Sequence, residues 1–159
     1  MMQALLPFFK WCDATWLGET IRGSRVYFPI IETFHLIALT LLFGAVLVLN
    51  LRLCGLIMKH QPVQQIARDL SPWAFWSLVA ILATGIMLFL SEAMKCYGSV
   101  PFQVKMVFLF LAIVFHFTIH RSMTRRERDP GRFFGVVAAV ISVVLWLGVG
   151  LGGRAIGFL

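Results

Sequence analysis

Two ionisable side chains lie inside a long apolar run near the start of the chain. Glu32 and His35 fall within residues 26–53, a stretch rich in Leu, Val, Ile and Phe. Because they are three positions apart, they share one face of a helix. A carboxylate at the centre of a membrane helix costs about 2.5–3.5 kcal/mol on insertion scales, so it needs a partner or a function. The pair is therefore a candidate for a functional role.

A second set of polar side chains recurs along a later apolar run. Lys105, His116 and His120 share a stripe with Leu109 and Ala112, at spacings of four, three, four and four residues. This periodicity places all five side chains on one face of a helix. The two runs together predict two helices with polar faces inside a bundle.

These residues predict a b-type haem. His35 on the first helix and His116 on the third are its predicted axial ligands, because imidazole is a common ligand of haem iron and bundles build such sites from facing helices. Glu32 is predicted to orient the ring of His35, as carboxylates beside metal ligands do. Lys105 would neutralise Glu32 or a haem propionate, and His120 would contact a propionate or a lipid headgroup.

Other interpretations of the same residues stay open. In one, Glu32 and Lys105 form a structural ion pair, and His35 hydrogen-bonds a neighbouring hydroxyl or carbonyl. In another, Glu-x-x-His belongs to a di-iron site, but that site needs a second such motif and two further Glu, and the spans offer only Glu92 besides Glu32. No paired carboxylates, G-x-S-x-G motif or base-plus-Ser arrangement indicates a hydrolase or a transferase.

The composition is that of a membrane protein. Of 159 residues, 60% are hydrophobic and 13% charged, whereas a soluble domain is about 25% charged. Four apolar runs are predicted to span a bilayer as helices: residues 26–53, 73–91, 102–121 and 133–153. No linker separates two cores, so residues 1–159 are predicted to form one domain. The expected fold is all-α, an integral membrane four-helix bundle with an N-terminal interfacial amphipathic segment at residues 3–20.

The distribution of Lys and Arg predicts the orientation. The formal net charge of +7 lies mostly in loops, so it indicates membrane topology and not a nucleic-acid partner. The first and third loops hold eight of the 14 basic residues, and the compact cluster from Arg121 to Arg132 carries most weight. That loop is predicted to be cytoplasmic, which leaves both termini extracytoplasmic in the inner membrane of a bacterium.

The cysteines predict a disulfide and no cysteine-based cofactor site. No C-x-x-C-H motif is present, so covalent haem attachment is not indicated. On the predicted topology, Cys12 and Cys96 both face the oxidising side of the membrane, where disulfides persist. They are predicted to form a bridge, and Cys54, at the inner end of the first span, to stay reduced.

Small residues predict close helix packing in two spans. Ser77, Ala80 and Thr84 fall on one face of the second span, and Gly148 and Gly152 form a G-x-x-x-G pair in the fourth. Such residues let the backbones of neighbouring membrane helices approach closely.

The motifs resemble a known but uncharacterised family. Over most of residues 15–121 the chain is similar to a bacterial family of four-helix membrane proteins, a domain of unknown function. The resemblance rests on Glu32, His35, Gly44, Leu51-Arg52-Leu53, Pro72-Trp73, Thr84-Gly85, Pro101-Phe102, Lys105 and His120-Arg121. Asn50 departs from the Asp expected at its position. The resemblance implies a fold and no activity.

The residues predict a cytochrome-b-like membrane subunit with one haem. It would pass electrons between a membrane quinone and an extracytoplasmic partner, as an electron-transfer or accessory subunit more than a stand-alone enzyme. Its predicted partners are membrane lipid, quinone and other redox subunits. The alternative is a cofactor-free structural or anchor subunit that docks onto a larger complex through its glycine stripes.

Overall fold

The chain is almost entirely helical in the part that the computed structural model describes, residues 2–125 and 131–156. It forms seven helices there: α1 (Met2–Asp13), α2 (Trp16–Gly23), α3 (Tyr27–Leu53), α4 (Val63–Ser91), α5 (Ala93–Cys96), α6 (Val100–Arg125) and α7 (Arg132–Ile156). Four of them, α3, α4, α6 and α7, are long and apolar enough to cross a membrane. The predicted all-α membrane fold is confirmed.

The second span is longer than its hydropathy suggests. The sequence pattern favours a short surface helix at residues 62–70 and a span from residue 73, but α4 runs without a break through Pro72. At about 1.5 Å per residue, its 29 residues extend roughly 42 Å. A hydrocarbon core is only about 30 Å thick. The first turns of α4, around Arg68, therefore reach the edge of the core.

The short helices α1, α2 and α5 cover one end of the bundle, the capped end. The ring of Phe9 packs edge-to-face on three aromatic rings, with centroids 5.4–6.5 Å apart: Phe89, Tyr97 and Phe102. In α2, Arg22 donates to Asp13 Oδ1 at 2.6 Å and to the Ser91 carbonyl at 3.4 Å. Trp11 stays 67% exposed, as suits a segment at the membrane interface.

The four long helices pack unevenly. α3 packs along α4 and α7, and α6 packs along α7, whereas α4 and α6 meet only over a short stretch. Gly148 lets α6 approach α7, because a Cβ there would overlap the ring of Phe108. A Cβ at Gly152 would lie 3.0 Å from the Cβ of Lys105. The predicted close packing through this glycine pair is confirmed. The main core lies among α3, α4 and α7: Ala38, Leu42, Val46, Leu78, Ile81, Trp146 and Val149.

Candidate functional site

His35 is fixed by a hydrogen bond to the neighbouring helix α4. Its ring is partly buried, and Nδ1 lies 2.8 Å from the hydroxyl oxygen of Thr84. Counting eight residues from Tyr27, the ring lies roughly 12 Å along α3, well inside the span. Gly85 lies beside the ring, since a Cβ there would be in van der Waals contact with Cε1 of His35, at 3.4 Å.

The direction of that hydrogen bond identifies the protonated ring nitrogen. The single hydroxyl proton of Thr84 is donated to the backbone carbonyl of Ala80 at 2.6 Å. With that proton on the carbonyl, the imidazole donates to Thr84 and Nδ1 carries a proton. In neutral imidazole the other nitrogen, Nε2, then keeps its lone pair, which is the form that binds a metal.

Lys105 connects the other two spanning helices, α6 and α7, to the region around His35. Its side chain extends from α6 along the glycines of α7, where a Cβ at Gly153 would lie 3.3 Å from Nζ. It is also close enough to His35 to interact with it electrostatically. Together His35, Thr84, Gly85, Lys105 and Gly153 form the His35–Lys105 site. All four spanning helices contribute to it, in the half of the bundle next to the capped end.

Glu32 lies outside this site. The residue is exposed, and within residues 2–125 and 131–156 it makes no ion pair with Lys105. The predicted Glu32–Lys105 pair is therefore wrong. Glu32 is five residues into α3, roughly 7.5 Å from its start, so its carboxylate is close enough to the interface to reach water without a buried partner.

His116 lies farther from the capped end than His35 does. It lines a groove between α6 and the first half of α4, which includes Ala74 and Leu78. Those residues precede Thr84 by ten and six positions, so the groove lies about 9–15 Å along α4 from the contact of His35. Two nitrogens on one iron lie about 4 Å apart, given metal–imidazole bonds near 2 Å. This separation does not favour one iron between His35 and His116, and their pairing stays a prediction.

The remaining metal and haem predictions concern His120 and groups of metal-binding side chains. The side chain of His120 is outside the described residues, so its predicted contact with a propionate or headgroup stays a prediction. In the described ranges, no three side chains of His, Cys, Asp or Glu come together. Of the predicted ligands, His35 has a ring nitrogen held by a neighbouring side chain, Thr84, and small residues beside the ring.

The predicted disulfide between Cys12 and Cys96 is not formed. Both thiols are free and buried, in short helices that pack against each other at the capped end. Burial raises the pKa of the Cys12 thiol. Burial also raises the pKa of Cys96, the nearby Glu92 raises it further, and Lys105 and Lys95 oppose the shift.

The interpretation in which His35 hydrogen-bonds a neighbouring hydroxyl is confirmed, but sequence reasoning did not identify that hydroxyl as Thr84. The spacing of Ser77, Ala80 and Thr84 on one helix face was a usable signal, but it predicts helix packing and not a partner for His35. A hydroxyl on a stripe of small residues, opposite a histidine on another span, is the pattern that would have identified the pair.

Comparison with known proteins covers nearly the whole chain. Residues 8–159 match DUF6644, a family of unknown function. The chain belongs to this family. The resemblance to an uncharacterised membrane family is thus confirmed, while no curated protein and no solved structure matches. The description of DUF6644 contains no activity, so a function for this member has to be argued from the His35–Lys105 site.

Proposed function

We propose that this chain binds one haem b through His35 and carries electrons within the membrane, between a quinone and an extracytoplasmic redox partner. The observation that carries the proposal is the hydrogen bond from Nδ1 of His35 to Thr84. It fixes the tautomer in which Nε2 presents a lone pair to a metal. Proteins commonly orient metal-binding histidines in this way, through a partner on the other ring nitrogen.

Each residue of the site has a separate part in this proposal. Thr84 holds the ring of His35 in one tautomer and one orientation. Lys105 offers an ammonium group to a propionate, which would also compensate its own burial in an apolar span. Gly85 and Gly153 keep side chains away from the ring and from the amine. Haem would supply a one-electron carrier at this position.

The alternative, a cofactor-free anchor subunit, loses its main argument. It relied on glycine stripes that would dock onto a larger complex. Gly148 and Gly152 instead pack against Phe108 and Lys105 of the same chain. The alternative is kept as one outcome of the test below.

The absorption spectrum of the purified protein tests the proposal. Protein made in haem-sufficient cells should show a Soret band with about one haem per chain, measured as the pyridine haemochrome. His35→Ala should abolish the band, because the ligand is gone. His60→Ala is the matched control, since His60 is exposed in the loop between α3 and α4 and should leave the band intact. A wild-type protein without a Soret band would refute haem binding and leave the anchor interpretation.

The orientation is tested separately. The Lys and Arg distribution supports extracytoplasmic termini, so the capped end would face outward. In a chain without its native cysteines, Lys95→Cys should react with an impermeant thiol reagent on intact cells and Lys59→Cys should not. Both positions are exposed, so the reverse pattern would invert the topology.

A further inference from the structure

A groove lies between α4 and α6, which pack against each other over only a short stretch. It encloses about 430 Å³, within the range of roughly 300–1,000 Å³ that is common for small-molecule sites. It is formed by the first half of α4 and the second half of α6, so it lies away from the capped end. The His35–Lys105 site takes up none of its lining residues, and the haem proposal leaves the groove without a role.

The walls of the groove are aromatic and face the lipid. Phe75, Trp76 and Phe117 are 50%, 68% and 47% exposed, and all three line the groove. The ring of His116 meets that of Phe117 edge-to-face, with centroids 5.9 Å apart. Side chains of this kind offer flat faces to another ring, and an opening toward lipid admits a ligand from within the bilayer.

Polar groups lie at intervals along the same groove. Arg68 stands at its outer edge, near the boundary of the hydrocarbon core, and Ser71 follows one turn later. His116 contributes a third polar group from the opposite helix. Leu78 lies ten residues beyond Arg68, roughly 15 Å deeper. The groove therefore suits a molecule with a flat, hydrogen-bonding head and an apolar tail.

We infer that this groove binds the ring of a membrane quinone. A quinone has two carbonyl oxygens, which accept hydrogen bonds from guanidinium, hydroxyl and imidazole groups, and a flat ring that fits between aromatic side chains. An anionic lipid headgroup suits the groove less well, because Arg68 is the single Lys or Arg among the described residues that line it, and four of those nine residues carry aromatic rings. The inference rests on the proposed electron-transfer function only for the choice of a redox-active ring, and binding itself needs no haem.

Photolabelling of the full-length protein tests the inference. The protein would be placed in nanodiscs of zwitterionic lipid and irradiated with a short-chain azidoquinone, and labelled peptides would be identified by mass spectrometry. Label should concentrate in residues 68–78 and at residues 116–117, and an unlabelled short-chain quinone should compete it away. His116→Leu should weaken competition roughly tenfold, the effect of losing about one good hydrogen bond.

A matched pair of phenylalanines controls for nonspecific labelling. Phe110 lies two turns before Phe117 on α6, is 67% exposed, and does not line the groove. Phe117→Ala should lower labelling several-fold, and Phe110→Ala should leave it unchanged. Equal effects of the two substitutions, or label spread evenly over lipid-facing helices, would overturn the inference.

Two further outcomes separate this inference from other possibilities. Loss of labelling in nanodiscs that contain phosphatidylglycerol would overturn it in favour of a lipid headgroup. Haem is measured on the same samples by absorbance. Groove labelling without a Soret band would refute the haem proposal and support quinone binding. A Soret band without groove labelling would support the haem proposal and refute quinone binding in the groove.

Discussion

The two histidine regions of the bundle differ in how the helices enclose them. At the His35–Lys105 site, four helices converge, and glycines at positions 85 and 153 lie against the functional side chains. At the groove, two helices separate, and His116 is flanked by aromatic side chains that face lipid. The same residue type is thus held in a fixed orientation in one place and placed beside a space open to the membrane in the other.

The size of the neighbouring side chains accounts for much of this difference. Helices in a membrane gain no hydrophobic stabilisation from each other, so close contact depends on small residues that allow backbone approach. α7 supplies Gly148 and Gly152 toward α6, while α4 supplies Phe75 and Trp76 near the groove. On the two proposals above, such a bundle would hold haem near one end and exchange a quinone near the other.

The largest expected effect is that substitutions of the two histidines have opposite effects on haem binding and on azidoquinone labelling. His35→Ala should remove the bound haem and leave azidoquinone labelling of the groove intact. His116→Ala should keep the Soret band and weaken labelling, because the groove that His116 lines lies about 9–15 Å along α4 from the contact of His35. Absorbance and mass spectrometry on the same two variants make the comparison. Loss of the Soret band in both variants would mean that one haem engages both rings, contrary to the separation described above.

The next effect concerns the hydroxyl that orients His35. Thr84→Val keeps the shape of the side chain and removes the acceptor for Nδ1–H. Haem affinity should fall about 10–100-fold, as when other partners of metal ligands are removed, and the reduction potential should shift. Titration of haem and a spectroelectrochemical measurement provide the two readouts.

A second threonine controls for the loss of an ordinary helix hydrogen bond. Thr40 donates to the Leu36 carbonyl at 2.9 Å but is exposed and lies away from His35. Thr40→Val should therefore change neither affinity nor potential. If both valine variants behave alike, the role of Thr84 is structural and not one of positioning the ring.

Helix packing at α7 gives a smaller effect that needs no cofactor. Gly148→Ala would place a methyl group against the ring of Phe108, and overpacking of this kind costs about 1–3 kcal/mol. Gly150→Ala meets no atom within 4 Å and should be neutral or slightly stabilising, because Ala is the better helix former. Unfolding in mixed detergent and denaturant would compare them. A loss of stability at both positions would show that the effect is not specific to the α6–α7 contact.

Hydropathy predicted the architecture well because it depends on local composition. α3 begins and ends within one residue of the predicted span, and the G-x-x-x-G pair packs as expected. The interpretation that His35 points into the bundle was also correct, since its ring contacts Thr84 in the stripe of small residues on α4. These properties follow from period and residue size, both of which can be read along a single segment.

The errors concern how one helix sits relative to another. Glu32 and His35 are three residues apart and so point roughly 60° from each other around α3. Glu32 is exposed, whereas His35 is partly buried. His116 lies 16 residues, or roughly 24 Å, along α6 from Val100, whereas His35 lies roughly 12 Å along α3 from Tyr27. Neither rotation nor relative height leaves a signature in one helix alone.

The smallest expected effect probes the edge of the His35–Lys105 site through Cys96. Burial, with a further contribution from Glu92, raises the pKa of this thiol, while Lys105 opposes the shift. Since the thiolate is the reactive form, labelling of Cys96 by a small maleimide should be slow near pH 8 and should accelerate as pH rises. Glu92→Gln removes an anion, lowers the pKa and should speed labelling, whereas Lys105→Gln removes a cation, raises the pKa and should slow it. We expect changes of about two- to fivefold, as for charges that act on a partly screened group. The rates would be measured in a chain whose other two cysteines are replaced by Ser. Changes in the same direction for both variants would indicate altered access, and would remove the electrostatic evidence that Lys105 lies beside the capped end.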